Sequence, residues 1–219
     1  MDVATHSPHF FQLGRRGLPA VLRMPDRAHG IVVFAHGSGS SHRSPRNNYV
    51  AEALGDAGLA TLLFDLLTVD EERNRANIFD IALLSSRLIE AVREMRLEPA
   101  CAHLPIGLFG ASTGAGAALY AAGQRPELFG AVVSRGGRPD LAGRDALEHV
   151  RAPTQLIVGG ADTQVIALNE AAARHLRCPH ELVIVKGAGH LFEEPGALAE
   201  VIAEAKRWFL LHLAGRREP

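Results

Sequence analysis

From about residue 30 onward, short runs of β-branched and aromatic residues alternate with longer segments whose apolar positions recur at helical spacing. IVVFAH (31–36) reads as a strand that runs into a Gly/Ser-rich loop, GSGSSHRSP (37–45). NNYVAEALGDAG (47–58) follows with helical periodicity and stops at Gly58, a residue suited to a helix C-cap. LATLLFDLL (59–67) is strand-like, TVDEERNRAN (68–77) is a charged loop, and IFDIALLSSRLIEAVREMR (78–96) is a long amphipathic helix. Pro105 then introduces the strand IGLFG (106–110), and GAGAALYAAGQ (114–124) makes the next helix.

Three further strands are read at FGAVVSRGG (129–137), TQLIVGG (154–160) and ELVIVK (181–186), and GALAEVIAEAKRWFLLHL (196–213) is a closing helix. Runs such as IVVF and LIV lack the alternation of a half-exposed strand, so both sheet faces are covered, as in a parallel sheet. The pattern predicts an α/β fold with a doubly wound, mainly parallel sheet flanked by helices. Between VVSRGG and TQLIV there are fewer than about 20 residues, enough for one crossover and too few for a large lid domain. The 219 residues, 47% of them hydrophobic, fit a single domain over 1–219.

The strand at 106–110 leads into LFGASTGAGAALY (108–120), where one serine, Ser112, is surrounded by glycine and alanine. Gly110-Ala111-Ser112-Thr113-Gly114 fits G-x-S-x-G in the required place, after a strand and before a helix. A nucleophile held on a sharp strand-to-helix turn crowds the residues two before and two after it, and Gly110 and Gly114 meet that demand. The motif alone fits tight packing or phosphate binding as well as catalysis. Its partners favour catalysis: Asp162 lies just past TQLIVGG and His190 in the loop past ELVIVK, giving the chain order Ser, Asp, His.

Taken alone, Asp162 fits a turn or helix N-cap aspartate equally well, and His190 fits an ordinary loop histidine. Together, each sits at the carboxyl end of a parallel strand, and such ends open on one edge of the sheet. The first amide of the helix after Ser112, that of Thr113, is a donor for a developing oxyanion, and the amide of Ser38, with Gly37 or Gly39 as substitutes, is the second. Arg135, at the end of VVSRGG, is a candidate for pairing with a substrate carboxylate, whereas Arg138 reads as a surface charge. Asp65 comes too early in the chain to be the acid and reads as a loop cap; DEERNRAN (70–77) reads as a solvated loop, with Asn74 or Arg75 as candidates for the cleft rim.

The motifs AHGSGS (35–40), GASTGAG (110–116), VGGAD (158–162) and GAGHLFEEPG (187–196) together resemble the α/β-hydrolase superfamily, most closely its small, lidless dienelactone hydrolase-like members. The resemblance runs from about Ile31 to Leu213. It implies an α/β-hydrolase fold, Ser112, Asp162 and His190 as a catalytic triad, and the Thr113 and Ser38 amides as an oxyanion hole, with no cofactor. Dienelactone hydrolase itself has a cysteine nucleophile where this chain has serine, so the resemblance implies cleavage of ordinary esters, thioesters or lactones through an acyl-enzyme. An acyltransferase using the same residues, or a binding protein that keeps the fold without catalysis, are the alternatives. Related domains fused to phosphoribosyltransferases exist, but no acidic pair followed by a Thr-Gly-rich phosphate loop is found here.

Charge and composition narrow the partners. A net charge of −1 gives no electrostatic footprint for nucleic acid and no polybasic membrane patch. Cys101 and Cys178 are too few and too far apart for a disulfide framework or a zinc site, and His42, His103, His149 and His175 have no ligand spacing, so no metal is expected. The start of the chain lacks a basic region followed by an apolar one, and no apolar run reaches the ~18 residues of a membrane span, so a cytoplasmic location is expected. The implied partner is a small-molecule ester; oligomeric state is left open by the sequence.

Overall fold

A computed structural model describes residues 7–214; the single-domain reading of 1–219 also takes in 1–6 and 215–219, which lie outside the described residues. The elements run β1 (His9–Leu13), β2 (Leu18–Arg23), β3 (Ile31–Ala35), α1 (Pro45–Asp56), β4 (Ala60–Phe64), α2 (Val69–Glu72), α3 (Arg75–Ile78) and α4 (Ile81–Leu97). They continue with β5 (Ile106–Ala111), α5 (Thr113–Gln124), β6 (Ala131–Arg135), a 3-10 turn (Pro139–Ala142), α6 (Gly143–His149), β7 (Thr154–Gly159), α7 (Thr163–Ala173), β8 (His180–Val185) and α8 (Ala197–Leu213). The strands form one eight-stranded sheet in the order β1-β2-β4-β3-β5-β6-β7-β8. β1 and β2 are antiparallel to their neighbours and the rest are parallel.

Every residue of β3, β4, β5, β6 and β7 is buried, which is the reason their sequences show runs in place of alternation. Alternate residues nevertheless divide between two cores. Ile31, Val33 and Ala35 of β3 join Leu88 and Val92 of α4 and Ala117, Ala118, Ala121 and Ala122 of α5 on one face. Val32 and Phe34 join Val50 and Leu54 of α1 and Val201, Trp208 and Phe209 of α8 on the other. Trp208 and Phe209 thus pack in the interior, as their positions on the final helix suggest, and Phe209 lies so close to Gly107 that a Cβ there would stand 2.7 Å from its ring.

Two parts of the architecture differ from the sequence reading. The N-terminal pair β1–β2 extends the sheet ahead of residue 30, turning at Gly14 and Gly17, both at positive φ. The segment expected as a charged loop holds α2 and α3, each four residues long: Thr68 and Glu71 form a reciprocal capping box at α2, and Asn74 caps α3. Polar side chains hold these turns, with no apolar periodicity to betray them. Among the described residues no helix is long and apolar enough to cross a membrane, and no group of His, Cys, Asp and Glu is arranged to hold a metal ion. Cys101 and Cys178 are buried free thiols whose pKa values burial raises.

Candidate active site

Ser112 sits between the end of β5 and the start of α5, with φ 50° and ψ −121°, one of two non-glycine residues at positive φ among the described residues. Such a backbone costs about 1–3 kcal/mol and persists only where the surroundings impose it. Here they do: the Ser112 amide donates to the Arg135 carbonyl at 3.2 Å, and its carbonyl accepts from the amides of Ala115 and Arg138 at 3.0 and 3.1 Å. A Cβ on Gly110 would overlap the backbone of Ala115, and one on Gly114 would overlap the carbonyl oxygens of Ala35 and His36. The small residues around Ser112 are therefore required by backbone contact on both sides of the turn.

Ser112 stands at the N-cap position of α5 but makes no capping bond with its side chain. Its hydroxyl faces His190 Nε2 at 3.3 Å, and His190 Nδ1 lies 2.7 Å from Asp162 Oδ2. An ionised carboxylate only accepts, so Nδ1 carries the proton and Nε2 is left to accept from the serine. Asp162 is likewise at a helix N-cap, that of α7, and likewise caps nothing with its side chain. Of the two roles its sequence position left open, its carboxylate takes the histidine. The three residues, spread over 78 positions of sequence, thus form one hydrogen-bonded chain at the carboxyl edge of the sheet.

Among the described residues no hydrogen bond takes up the amides of Ser38 or Thr113. Thr113 is the first residue of α5, whose orphan amides and macrodipole favour negative charge at that end. The loop bearing Ser38 touches the elbow through Gly37, where an added Cβ would stand 3.2 Å from Ser112 Cβ. His36 fixes the root of this loop: its Nε2 accepts from the Leu66 amide at 3.1 Å, so its Nδ1 donates to the Gly37 carbonyl at 3.0 Å. Burial pushes the His36 pKa down, keeping the ring neutral.

One crevice is walled by Ser112, and a second lies on the other side of the 36–44 loop. The first, of about 220 Å³, is lined by Ser112, His190 and Asp162 together with Arg138, Val165 and Leu168. The other, of about 450 Å³, runs between the 36–44 loop and the segment around α2 and α3, with Ser38, Leu66, Leu67, Glu72 and Ile78 in its walls. Ser112 is not itself a wall of the larger crevice, but Gly37, which is, abuts it.

Arg135 falls differently from the sequence reading. Arg135 lines neither crevice; its side chain is buried on the α1/α8 face, with Nη2 3.4 Å from Asn47 Oδ1 and the guanidinium 5.9 Å from the Phe192 ring centroid. Arg138 is the surface charge the sequence suggests, with its side chain 40% exposed, and it is also a wall of the crevice beside Ser112, held by two bonds to Asp140 at 2.8 and 2.7 Å, a pairing that raises its pKa. Its adjacency to β6 was the available signal, but which of two nearby arginines turns inward is not encoded in spacing. Asp65 does anchor a loop, accepting from the His42 amide at 2.7 Å and contacting His42 Nδ1 at 2.8 Å. Asn74 and Arg75 do not line the larger crevice; Glu72 and Ile78 do.

Comparison with known proteins is consistent with this architecture. The Dienelactone hydrolase family matches residues 18–210. A dienelactone hydrolase of known structure from Anabaena variabilis ATCC 29413 is 56% identical, superposes with a TM-score of 0.90, and is matched over 95% of this chain and 100% of that one. Est1E from Butyrivibrio proteoclasticus shares the fold at 16% identity, with a TM-score of 0.80 over 94% of this chain and 99% of its own. Two Mycobacterium tuberculosis proteins, from strains CDC 1551 / Oshkosh and ATCC 25618 / H37Rv, are 59% identical over 194 residues and bear the provisional name phosphoribosyl transferase. That match takes in 89% of this chain but 44% of theirs, so the chain spans less than half the length of these relatives.

Proposed function

The chain belongs to the dienelactone hydrolase family, and from that premise we propose that it is a serine hydrolase cleaving small or medium carboxylic esters, thioesters or lactones through an acyl-enzyme on Ser112. The observation that carries the reading is the Ser112–His190–Asp162 hydrogen-bonded chain, in which Ser112, at positive φ, and Asp162 both stand at helix N-caps yet cap nothing with their side chains. Side chains withheld from local capping and aimed at one another are arranged for proton transfer.

In this mechanism His190 Nε2 takes the Ser112 proton as Oγ attacks the substrate carbonyl, and Asp162 holds the Nδ1–H tautomer and stabilises the imidazolium that forms. The unclaimed amides of Thr113 and Ser38 receive the oxyanion. As the tetrahedral intermediate collapses, His190 gives its proton to the leaving alcohol, thiol or ring oxygen. Water, deprotonated by His190, then attacks the acyl-enzyme and releases the acid with Ser112 restored. The 3.3 Å separation between Nε2 and Oγ is of a kind that tightens once substrate is bound. The crevice volumes, about 220 and 450 Å³, suit small and medium substrates better than long lipid chains.

The half-exposed His190 ring gives water a path to the acyl-enzyme. The transferase name of the mycobacterial relatives attaches to proteins of which this chain spans 44%, and it carries no reading of this domain. The deciding experiment compares wild type and Ser112→Ala on a short p-nitrophenyl ester, with a serine-directed phosphonate as label. A pre-steady-state burst, steady turnover and a phosphonate adduct on Ser112, all lost in the variant, are expected; wild type that neither turns over nor labels leaves a binding protein as the reading. Products formed with added alcohols or amines separate hydrolase from acyltransferase.

A further inference from the structure

Three buried arginines occur among the described residues, and one of them has no carboxylate. Arg23 has Glu52 at 3.7 Å and Asn48 at 2.8 Å, and Arg87 has Glu71 at 2.6 Å and Glu90 at 3.5 Å. Arg135, 8% exposed, has a single long contact to Asn47, and its Nε and Nη1 meet no acceptor. The charge acting on it is Arg46, of the same sign and itself 2.7 Å from Glu193. Burial and Arg46 bring the Arg135 pKa down to about 10, which still leaves it a cation at neutral pH. An unpaired buried charge opposes folding, so its presence needs an explanation other than stability.

Its place in the sheet supplies one. Arg135 pairs in register with Ala111, the residue before Ser112, and its carbonyl accepts the Ser112 amide. The next residue, Gly136, lies against the histidine loop: a Cβ there would stand 3.0 Å from the His190 carbonyl oxygen and 3.3 Å from the Phe192 ring. Phe192, buried and at φ 55°, is the ring beside the Arg135 guanidinium. The backbone of Arg135 is thus tied to the serine turn, and its guanidinium lies beside Phe192 of the histidine loop.

We propose, resting on the hydrolase reading above, that Arg135 is a positioning residue: wedged beside Phe192, its unpartnered guanidinium sets the histidine loop and provides a fixed positive field for the oxyanion. A cation without an anionic partner in the resting enzyme interacts more favourably once negative charge develops nearby, and low dielectric strengthens the effect. It touches no reacting atom, and it does not bind a substrate carboxylate.

Arg135→Met keeps the length of the side chain and removes the charge; Arg135→Lys keeps the charge. An arginine kept only because it holds the fold together and one kept for its charge respond with opposite signs of stability. Arg135→Met is expected to melt at or above the wild-type temperature, while kcat on the short ester and the rate of phosphonate labelling fall about 10- to 100-fold with KM little changed. Arg135→Lys is expected to recover most of kcat. The proposal is overturned if Arg135→Met is insoluble or melts well below wild type, if its kcat and labelling match wild type, or if lysine gives no recovery. Wild type that neither labels nor turns over fails the hydrolase reading and this proposal with it; wild type that reacts at the same rate as Arg135→Met fails this proposal alone.

Discussion

Two imidazole–carboxylate pairs stand at the carboxyl edge of the same sheet, and their near-identity is instructive. His190 Nδ1 lies 2.7 Å from Asp162, and His42 Nδ1 lies 2.8 Å from Asp65. Both aspartates follow a parallel strand, β7 in one case and β4 in the other. The difference is in what surrounds each pair. Asp65 also binds the His42 amide and so ties down a loop, and the His42 side chain is 9% exposed. Asp162 takes the ring alone, and His190, with a side chain 39% exposed, points Nε2 at Ser112. A carboxylate-oriented imidazole is therefore only half of a catalytic device; the second nitrogen must face a group worth deprotonating.

That contrast is open to attack by mutation. The largest effect is expected at the serine pair: Ser112→Ala is predicted to lower kcat by about 10⁴-fold or more with the fold intact by circular dichroism. Asp162→Asn, which permits the wrong histidine tautomer, is expected to cost about 10⁴-fold. Asp65→Asn and His42→Ala, by contrast, should leave kcat within about tenfold while lowering stability by about 1–2 kcal/mol in urea titration, the scale of a lost loop hydrogen bond. Equal kinetic losses at the two pairs would erase the distinction drawn between them.

Smaller effects sharpen it further. His36 shares the sheet edge with both pairs yet serves as a bracket: its substitution by alanine leaves the buried Leu66 amide without an acceptor, an expected loss of about 1–3 kcal/mol. Because burial holds the folded His36 pKa below its ordinary value, the unfolded chain takes up a proton that the folded one refuses. This contribution to stability is present above about pH 6.5 and is lost as pH falls through the folded value. Melting temperatures followed downward from about pH 7.5 should therefore fall more steeply in wild type than in His36→Asn. Least of all, Arg138→Ala is expected to raise KM a few-fold with kcat nearly unchanged, as befits a wall of the crevice; a drop in kcat with no change in KM would place Arg138 in the chemistry instead.

Much of the fold was legible because buried parallel strands write themselves as apolar runs and their crossover helices as amphipathic segments. IVVFAH, IGLFG and TQLIVGG became β3, β5 and β7 within a residue or so. The N-terminal hairpin was not legible: β1 is an edge strand with exposed residues such as Phe10, so no core face disciplines its pattern. Nor were α2 and α3, since four residues cannot display a helical period and their ends are held by Thr68, Glu71 and Asn74.

The identity and order of Ser112, Asp162 and His190 were in the sequence, because a sharp turn requires glycine at 110 and 114 and parallel strands deliver their loops to one edge. Where each side chain sits there was decided by packing in three dimensions. Asp162 is a helix N-cap by position and the histidine's partner by geometry; Arg135 and Arg138 are three residues apart, yet one is buried beside Phe192 and the other lines the site. Local sequence fixes backbone turns and strand parity through short-range sterics. Which face is covered, which hydroxyl meets which ring, and which charge goes without a partner depend on segments brought together from 70 or more residues away, as Ser112 and His190 are, and so on the tertiary structure.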